Sequence, residues 1–265
     1  MDSKHPTVLS IAGSDSSAGA GIQADLKMCA AIGVHCATVI TAVTAQNTRE
    51  VQDVFTLPAE QVKAQAQAVL SDLSVKAIKI GMLGSAENVI AVSKILSDHP
   101  DIPVILDPVI VSSSGTRLLS AEAQALLISS LFPKILLLTP NLNEARLLLG
   151  LDGMKSNKLD DIGAQAKQLT KLGPSHILMK GGHSEQAVIV DALYTPEQQH
   201  LFEHPRIDSR NTHGTGCNLS SAIAAYLALG DNLVDATRKG IETTFDAISR
   251  AKEQKIGDGH GPLQP

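Results

Sequence analysis

Aromatic side chains are scarce in this chain: four Phe, two Tyr and no Trp, 2% of 265 residues. A core with so few rings has to be filled by Ala, Val, Ile and Leu, which suits buried parallel strands covered by helices. Cysteine is scarce too. Cys29, Cys36 and Cys217 make no Cys-x-x-Cys pair, so neither a zinc site nor a disulfide framework is implied. Cys29 and Cys36 read as core fillers. No Lys/Arg cluster occurs and the net charge is −5, which argues against a nucleic-acid partner, because phosphate-backbone binding needs concentrated basic surface. No apolar run approaches the roughly 20 residues that span a bilayer. The opening residues, MDSKHPTVLSIAG, lack the apolar stretch and cleavage site of a signal peptide, so a cytoplasmic protein without membrane association is expected. The histidines show no metal-ligand spacing, and the nucleotide loop Gly-x4-Gly-Lys-Ser/Thr is absent.

What the chain does have is alternation. Short apolar runs at 7–13, 35–43, 77–83, 103–109, 134–140 and 176–182 read as strands. Between them, helical spacing or helix signals mark 22–33 (closed by a glycine), 58–74, 86–96, 120–131, 141–149 and 159–172. VQDVFTLP reads as a short extra strand. AVIVDALYT and QQHLFEHPRI read as an antiparallel pair, and helices over about 217–229 and 233–252 finish the chain. With 43% hydrophobic residues and no linker, low-complexity segment or repeat, the expectation is one α/β domain over 1–265. It is a mostly parallel central sheet with helices on both faces. In such folds ligands bind beyond the C-terminal strand ends. GSDSS, TAQNT, GML, DPV, TPNLNE and KGGH all follow predicted strands. The serine-rich segment 112–117 and the segment 205–211 are candidate mobile segments.

The motif NTHGTGCNLSS carries the chemistry. Gly214 and Gly216 permit close backbone approach, and a helix starting here leaves N–H groups unpaired as an anion site. A thiol at such a helix end is expected to have a lowered pKa. The competing reading is an ordinary glycine turn, with Cys217 a small apolar residue and His213 a turn residue. Asp107 in DPV and Glu144 in NLNE follow buried strands and could hold a magnesium ion. The same residues also fit a turn start and, with Asn141, a helix cap. Gln46 in TAQNT can donate and accept, which suits a heterocycle with an amino group beside a ring nitrogen. Lys180 could reach a phosphate as a point charge. Asp15 and Asp25 flank the first glycine-rich loop and also read as helix-start acids.

In order along about 8–262, AGSDSSAGAGIQADLK, TAVTAQNT, VKAIKIGML, LDPV, TPNLNEARLLLG, KGGH, NTHGTGCNLSSAIAA and GDGHGPL resemble the hydroxymethylpyrimidine/phosphomethylpyrimidine kinases of the ribokinase-like superfamily. The resemblance implies a three-layer sandwich, ATP as co-substrate with Mg²⁺, and a homodimer. It implies two successive phosphorylations of 4-amino-5-hydroxymethyl-2-methylpyrimidine in thiamine diphosphate biosynthesis. It further implies that Gln46, with Gly13, Asp25 and Met82, binds the pyrimidine. Gly214, Thr215 and Gly216 would form the anion hole, and Cys217 would be the base. Lys180 and Asn141 would lie at the phosphates, with Asp107 and Glu144 at the metal. Two departures stand out: Ala18 where glycine is expected, and Asn218 where Thr or Ser is commoner.

Rival readings are a pyridoxal or pyridoxine kinase of the same superfamily, a cysteine hydrolase and a nucleotide-binding regulator without catalysis. The hydrolase would pair Cys217 with His213, and four residues apart on a tight turn is poor geometry for that pair.

Overall fold

The computed structural model describes residues 5–111, 115, 117–151, 159–182 and 187–265. Most of the serine-rich segment 112–117, and His183 of KGGH, lie outside the described residues. Among those described, the strands form one nine-stranded sheet. Strand β1 (Thr7–Asp15) pairs in parallel with β2 (His35–Gln46) on one side and with β4 (Val75–Ile80) on the other. The parallel run continues through β5 (Val104–Leu106), β6 (Leu137–Leu138) and β7 (His176–Met179). Antiparallel strands close both edges: β3 (Val51–Thr56) beside β2, and the hairpin β8 (Val188–Tyr194) and β9 (Gln199–Pro205) beside β7. The chain thus winds outward from β1 in one direction and then the other, which places a crevice above β1 and β4.

Helices cover both faces. On one lie α1 (Gly21–Ile32), α7 (Thr215–Ala228) and α8 (Leu233–Ala251). On the other lie α2 (Ala59–Leu70), α3 (Ala86–Asp98), α4 (Ala121–Leu126), α5 (Leu142–Leu148) and α6 (Leu159–Thr170). Strand alternation feeds the two cores. Ile78 and Ile80 pack under α2 and α3, while Ala77 packs under α7. With few rings available, the side chains that fill both layers are mostly aliphatic.

The pattern-based boundaries hold to within a few residues, and three differences bear on the sheet and its layers. Strand β2 runs on through Gln46, so TAQ is sheet rather than loop; β3 pairs with it there and supplies hydrogen-bond partners. The run at 134–140 contributes only Leu137 and Leu138 to the ladder, since the 3₁₀ turn Phe132–Lys134 takes up its start. The predicted helix 120–131 is α-helical only to Leu126 and continues as a π turn, Leu127–Leu131.

Two backbone positions expose the tolerances of the fold. Ala18 has φ 60°, a left-handed conformation that a Cβ disfavours, which gives a physical reason for glycine at that place. Gly240 of α8 faces α7, where an added Cβ would lie 2.7 Å from Ile223 Cγ1 and 3.3 Å from its backbone nitrogen. Ala18→Gly is expected to stabilise the protein by about 1 kcal/mol, the strain outweighing the entropy glycine adds to the unfolded chain. Gly240→Ala is expected to destabilise it by about 1–3 kcal/mol despite alanine's better helix propensity, because the interface is overpacked. Urea midpoints of both variants check the two signs.

Candidate active site

A cavity of about 1000 Å³ opens at the C-terminal ends of the parallel strands. Its lining includes Gly13, Gln46, Met82, Asp107, Asn141, Glu144, Lys180 and the whole Gly214–Cys217 turn. These residues come from seven separate places in the sequence, and the sheet gathers them because all but the Gly214–Cys217 turn sit at or just beyond a strand end.

The glycine turn starts α7 two residues earlier than the pattern suggested. Gly214 is the N-cap, with φ 79°, and Thr215 is the first helical residue. Thr215 N–H reaches the Thr212 carbonyl, while the N–H groups of Gly216 and Cys217 have no acceptor among the described residues. They are the free donors of a helix start. A Cβ on Gly214 would run into the Gly19 carbonyl, and one on Gly216 would lie 2.8 Å from Asp107 Oδ2 and 3.1 Å from Lys180 Nζ. Both positions therefore need glycine so that the helix can approach the other parts of the site.

At the centre, Lys180 Nζ donates to Asp107 Oδ1 at 2.7 Å and lies 3.8 Å from Glu144 Oε2. Glu144 and Asn141 also form a capping box on α5, so the structural and the functional readings of NLNE coexist. The side-chain oxygen of Asn141 is committed to that cap, which leaves its amide N–H pair to offer a ligand. Burial, reinforced by the charge of Asp107 and opposed by Lys180, pushes the Glu144 carboxyl up to about 7. Lys180 is raised: burial works against its charge, but Asp107 and Glu144 prevail. Among the described residues no three His, Cys, Asp or Glu side chains cluster as a metal cage. Two carboxylates facing a cavity suit a hard cation whose remaining places are filled by water and substrate oxygens.

At the other end, Asp15 organises the first loop. Its oxygens accept from the N–H groups of Ser17, Gly19 and Ala20, and His213 Nε2 lies 2.9 Å from Oδ2. Burial alone would raise the Asp15 pKa, but the bonds from His213 and Ser17 lower it to about 2. The Gln46 amide lies 3.0 Å from the same His213 nitrogen and 3.2 Å from Thr44 Oγ1. If His213 donates to Asp15, Gln46 must turn its oxygen to the imidazole and its nitrogen to Thr44, whose hydroxyl passes a bond to the Ser14 carbonyl. The tail residues strap this end: His260 N–H bonds to the Thr48 carbonyl, and His213 N–H to that of Gly261.

Two expectations need correction. Asp25 does not line the cavity. It is fully buried, with both oxygens held by Lys79 and one also by Ser10, so it is not placed to touch a substrate. The Cys217 thiol is not lowered. Burial pushes it up to about 11, outweighing the nearby charge of Lys79 and the Gly21 N–H directed at it. Cys217 still lines the same cavity as Gln46. His213 and Lys79 carry more than the sequence reading gave them. A lysine inside the apolar run AIKIGML was the available signal, because a buried charge needs a partner. His213 is a buried link between Asp15 and Gln46, not merely a turn residue.

Residues 15–264 match the family model described as phosphomethylpyrimidine kinase. The chain is 45% identical over 262 residues to the chloroplastic thiamine biosynthetic bifunctional enzyme of Arabidopsis thaliana, aligning over 98% of its own length but spanning only about half, 50%, of that relative. It is also 45% identical to the hydroxymethylpyrimidine/phosphomethylpyrimidine kinase of Rhizobium meliloti, with 96% of this chain and 95% of the relative aligned. Among solved structures, the ADP complex of Bacillus subtilis pyridoxal kinase superimposes with a TM-score of 0.88 at 33% identity, covering 98% of this chain and 97% of the other. Sequence and architecture agree, and the chain belongs to the phosphomethylpyrimidine kinase family.

Proposed function

We propose that the chain transfers the γ-phosphoryl group of ATP to the alcohol of 4-amino-5-hydroxymethyl-2-methylpyrimidine. A second ATP then converts the monophosphate to the diphosphate, on the route to thiamine diphosphate. The observation that carries this reading is one cavity shared by Gln46, Cys217 and the Lys180–Asp107 pair.

Roles follow from position. Gln46 reads the aminopyrimidine edge, with Gly13 and Met82 beside the ring. Lys180 and the Asn141 amide take the nucleotide phosphates. The free N–H groups at the Gly214–Thr215–Gly216 turn, those of Gly216 and Cys217, face the charge that grows on the transferring group. Asp107 and Glu144 would hold a magnesium ion, which when bound neutralises phosphate charge. In the first step the alcohol proton goes to Cys217 Sγ. The oxygen's electron pair bonds to the γ-phosphorus, and the bond from phosphorus to the ADP oxygen breaks. Because the Cys217 pKa is about 11, the resting group is a thiol. It must shed its proton before it can act as the base. The second step has a phosphate oxygen as nucleophile and needs no base. We read the chain as one kinase domain, 1–265, supported by the single continuous sheet. We also read it as a homodimer, supported by the cross-strand pair Val43 and Phe55, both exposed on the β2–β3 edge.

Phosphate transfer from ATP to hydroxymethylpyrimidine, with mono- and diphosphate resolved and pyridoxal assayed in parallel, tests the assignment; a preference for pyridoxal would move it to the neighbouring activity. Cys217→Ala is expected to slow the first phosphorylation by about 10²–10⁴-fold and the second far less. In the unaltered protein the first step should accelerate with pH between about 7 and 9, as the thiolate fraction grows towards a pKa above that range. Equal losses in both steps would refute the base assignment. Gln46→Leu should weaken pyrimidine binding by about 1–3 kcal/mol in calorimetric titration, through an unpaired ring edge. Unchanged affinity would take Gln46 out of the pocket.

A further inference from the structure

The middle of a parallel strand is an unusual place for a lysine. The side chains of Lys79 and Asp25 are both 0% exposed, and Nζ lies 2.8 Å from each carboxylate oxygen. Ser10 Oγ donates to Asp25 Oδ2 at 2.5 Å. A buried pair of this kind is often no more stabilising than apolar residues of the same volume, so stability alone gives no reason for it.

Its placement does. Ala77, Lys79 and Gly81 alternate onto the face covered by α1 and α7. Gly81 has no side chain, and a Cβ there would lie 3.1 Å from Lys79 Nζ. The lysine therefore runs along its strand towards the C-terminal end, where the cavity lies. Asp25 stands one helical turn before Cys29 on α1, and Cys217 one turn before Ser221 on α7. Cys29 Sγ meets the Ser221 carbonyl at 4.0 Å. The two helices start at the same edge of the sheet and pack side by side, so Asp25 and Cys217 stand at one level with Lys79 reaching up beneath.

We infer that Lys79, held by Asp25, is a positioning residue for the reaction: it supplies the fixed positive charge beside which Cys217 Sγ becomes a thiolate. The inference rests on Cys217 being the base. The charged groups around the sulfur are Lys79 from β4, Asp25 from α1, Asp107 beyond β5 and Lys180 beyond β7. Asp15, at the end of β1, is bound to His213. The charged residues Arg238, Lys239, Glu242, Asp246 and Arg250 of α8 are exposed. Burial is the largest influence on the thiol and raises its pKa; Lys79 is the next and lowers it, ahead of the opposing Asp25 and Asp107. Lys79 itself stays charged: burial alone would lower its pKa, but Asp25 and Cys217 raise it. Only the thiol gives up a proton, to solvent, and the cation that receives the resulting anion is already in place.

The test is the pH dependence of Cys217 alkylation by iodoacetamide in the whole ligand-free protein, followed at that residue by mass spectrometry. Lys79→Met should move the midpoint up by about one pH unit or more. An upward displacement supports the inference; an unmoved midpoint overturns it. Should the single variant fail to fold, the double variant Asp25→Asn/Lys79→Met leaves no charge at this pair. Its midpoint should still rise, and an unmoved midpoint again overturns the inference. Because alkylation needs no turnover, this result is separable from the comparison of the two phosphorylations in Cys217→Ala, which decides whether the thiol is the base.

Discussion

The site depends on one close approach: the start of α7 comes within backbone contact of the first loop and within side-chain contact of the Asp107–Lys180 pair. Gly214 abuts the Gly19 carbonyl, and Gly216 leaves no room between helix and carboxylate. With any side chain at these positions the helix would have to stand further from the sheet. Its free N–H groups would no longer face the cavity, and His213 could not keep its place between Asp15 and Gln46. The positive end of a helix and a group of acidic and basic side chains are thus brought together by the absence of atoms.

Charge around the cavity is balanced by pairs that each join two elements of the fold. Lys180 with Asp107 ties β7 to β5, Lys79 with Asp25 ties β4 to α1, and His213 with Asp15 ties the α7 turn to β1. Local surroundings drive two carboxylates in opposite directions. Asp15, bonded by His213 and several N–H groups, titrates near 2, whereas Glu144, buried beside Asp107, titrates near 7. Environments that separate like groups in this way are typical of sites that handle charge.

Much of this was legible in the residues. The alternation of apolar runs gave the sheet and its layers, and the placement of polar motifs after the strands gave the edge at which the cavity lies. GTGC, TAQNT and the acidic motifs named the polar centre of the lining, but not its apolar part, such as Ile189, Ile241 and Phe245. What was hidden depended on depth. A helix end lowers a thiol's pKa only where water or charge outweighs desolvation, and the burial of Cys217 is a property of the packed helices, not of the motif. Asp25 looked available because it follows a glycine-rich loop; that it points inward to Lys79 depends on a strand some fifty residues away. His213 looks like a turn residue in the sequence because its partners, Asp15 and Gln46, are remote along the chain. The family resemblance carried the substrate; residue chemistry alone offered roles for GTGC, Gln46, Lys180 and the two carboxylates, each beside a plain structural reading.

The strap that crosses the Asp15–Gln46 end of the cavity has a consequence for when that end is completed. Thr48 meets Gly259 and His260, contacts that span some two hundred residues, and His213 meets Gly261 over a shorter stretch. Contacts of such long range carry the largest loop-closure entropy and form late. The Asp15–Gln46 end of the cavity is therefore a property of the fully assembled chain, and a sheet complete in itself would still lack it.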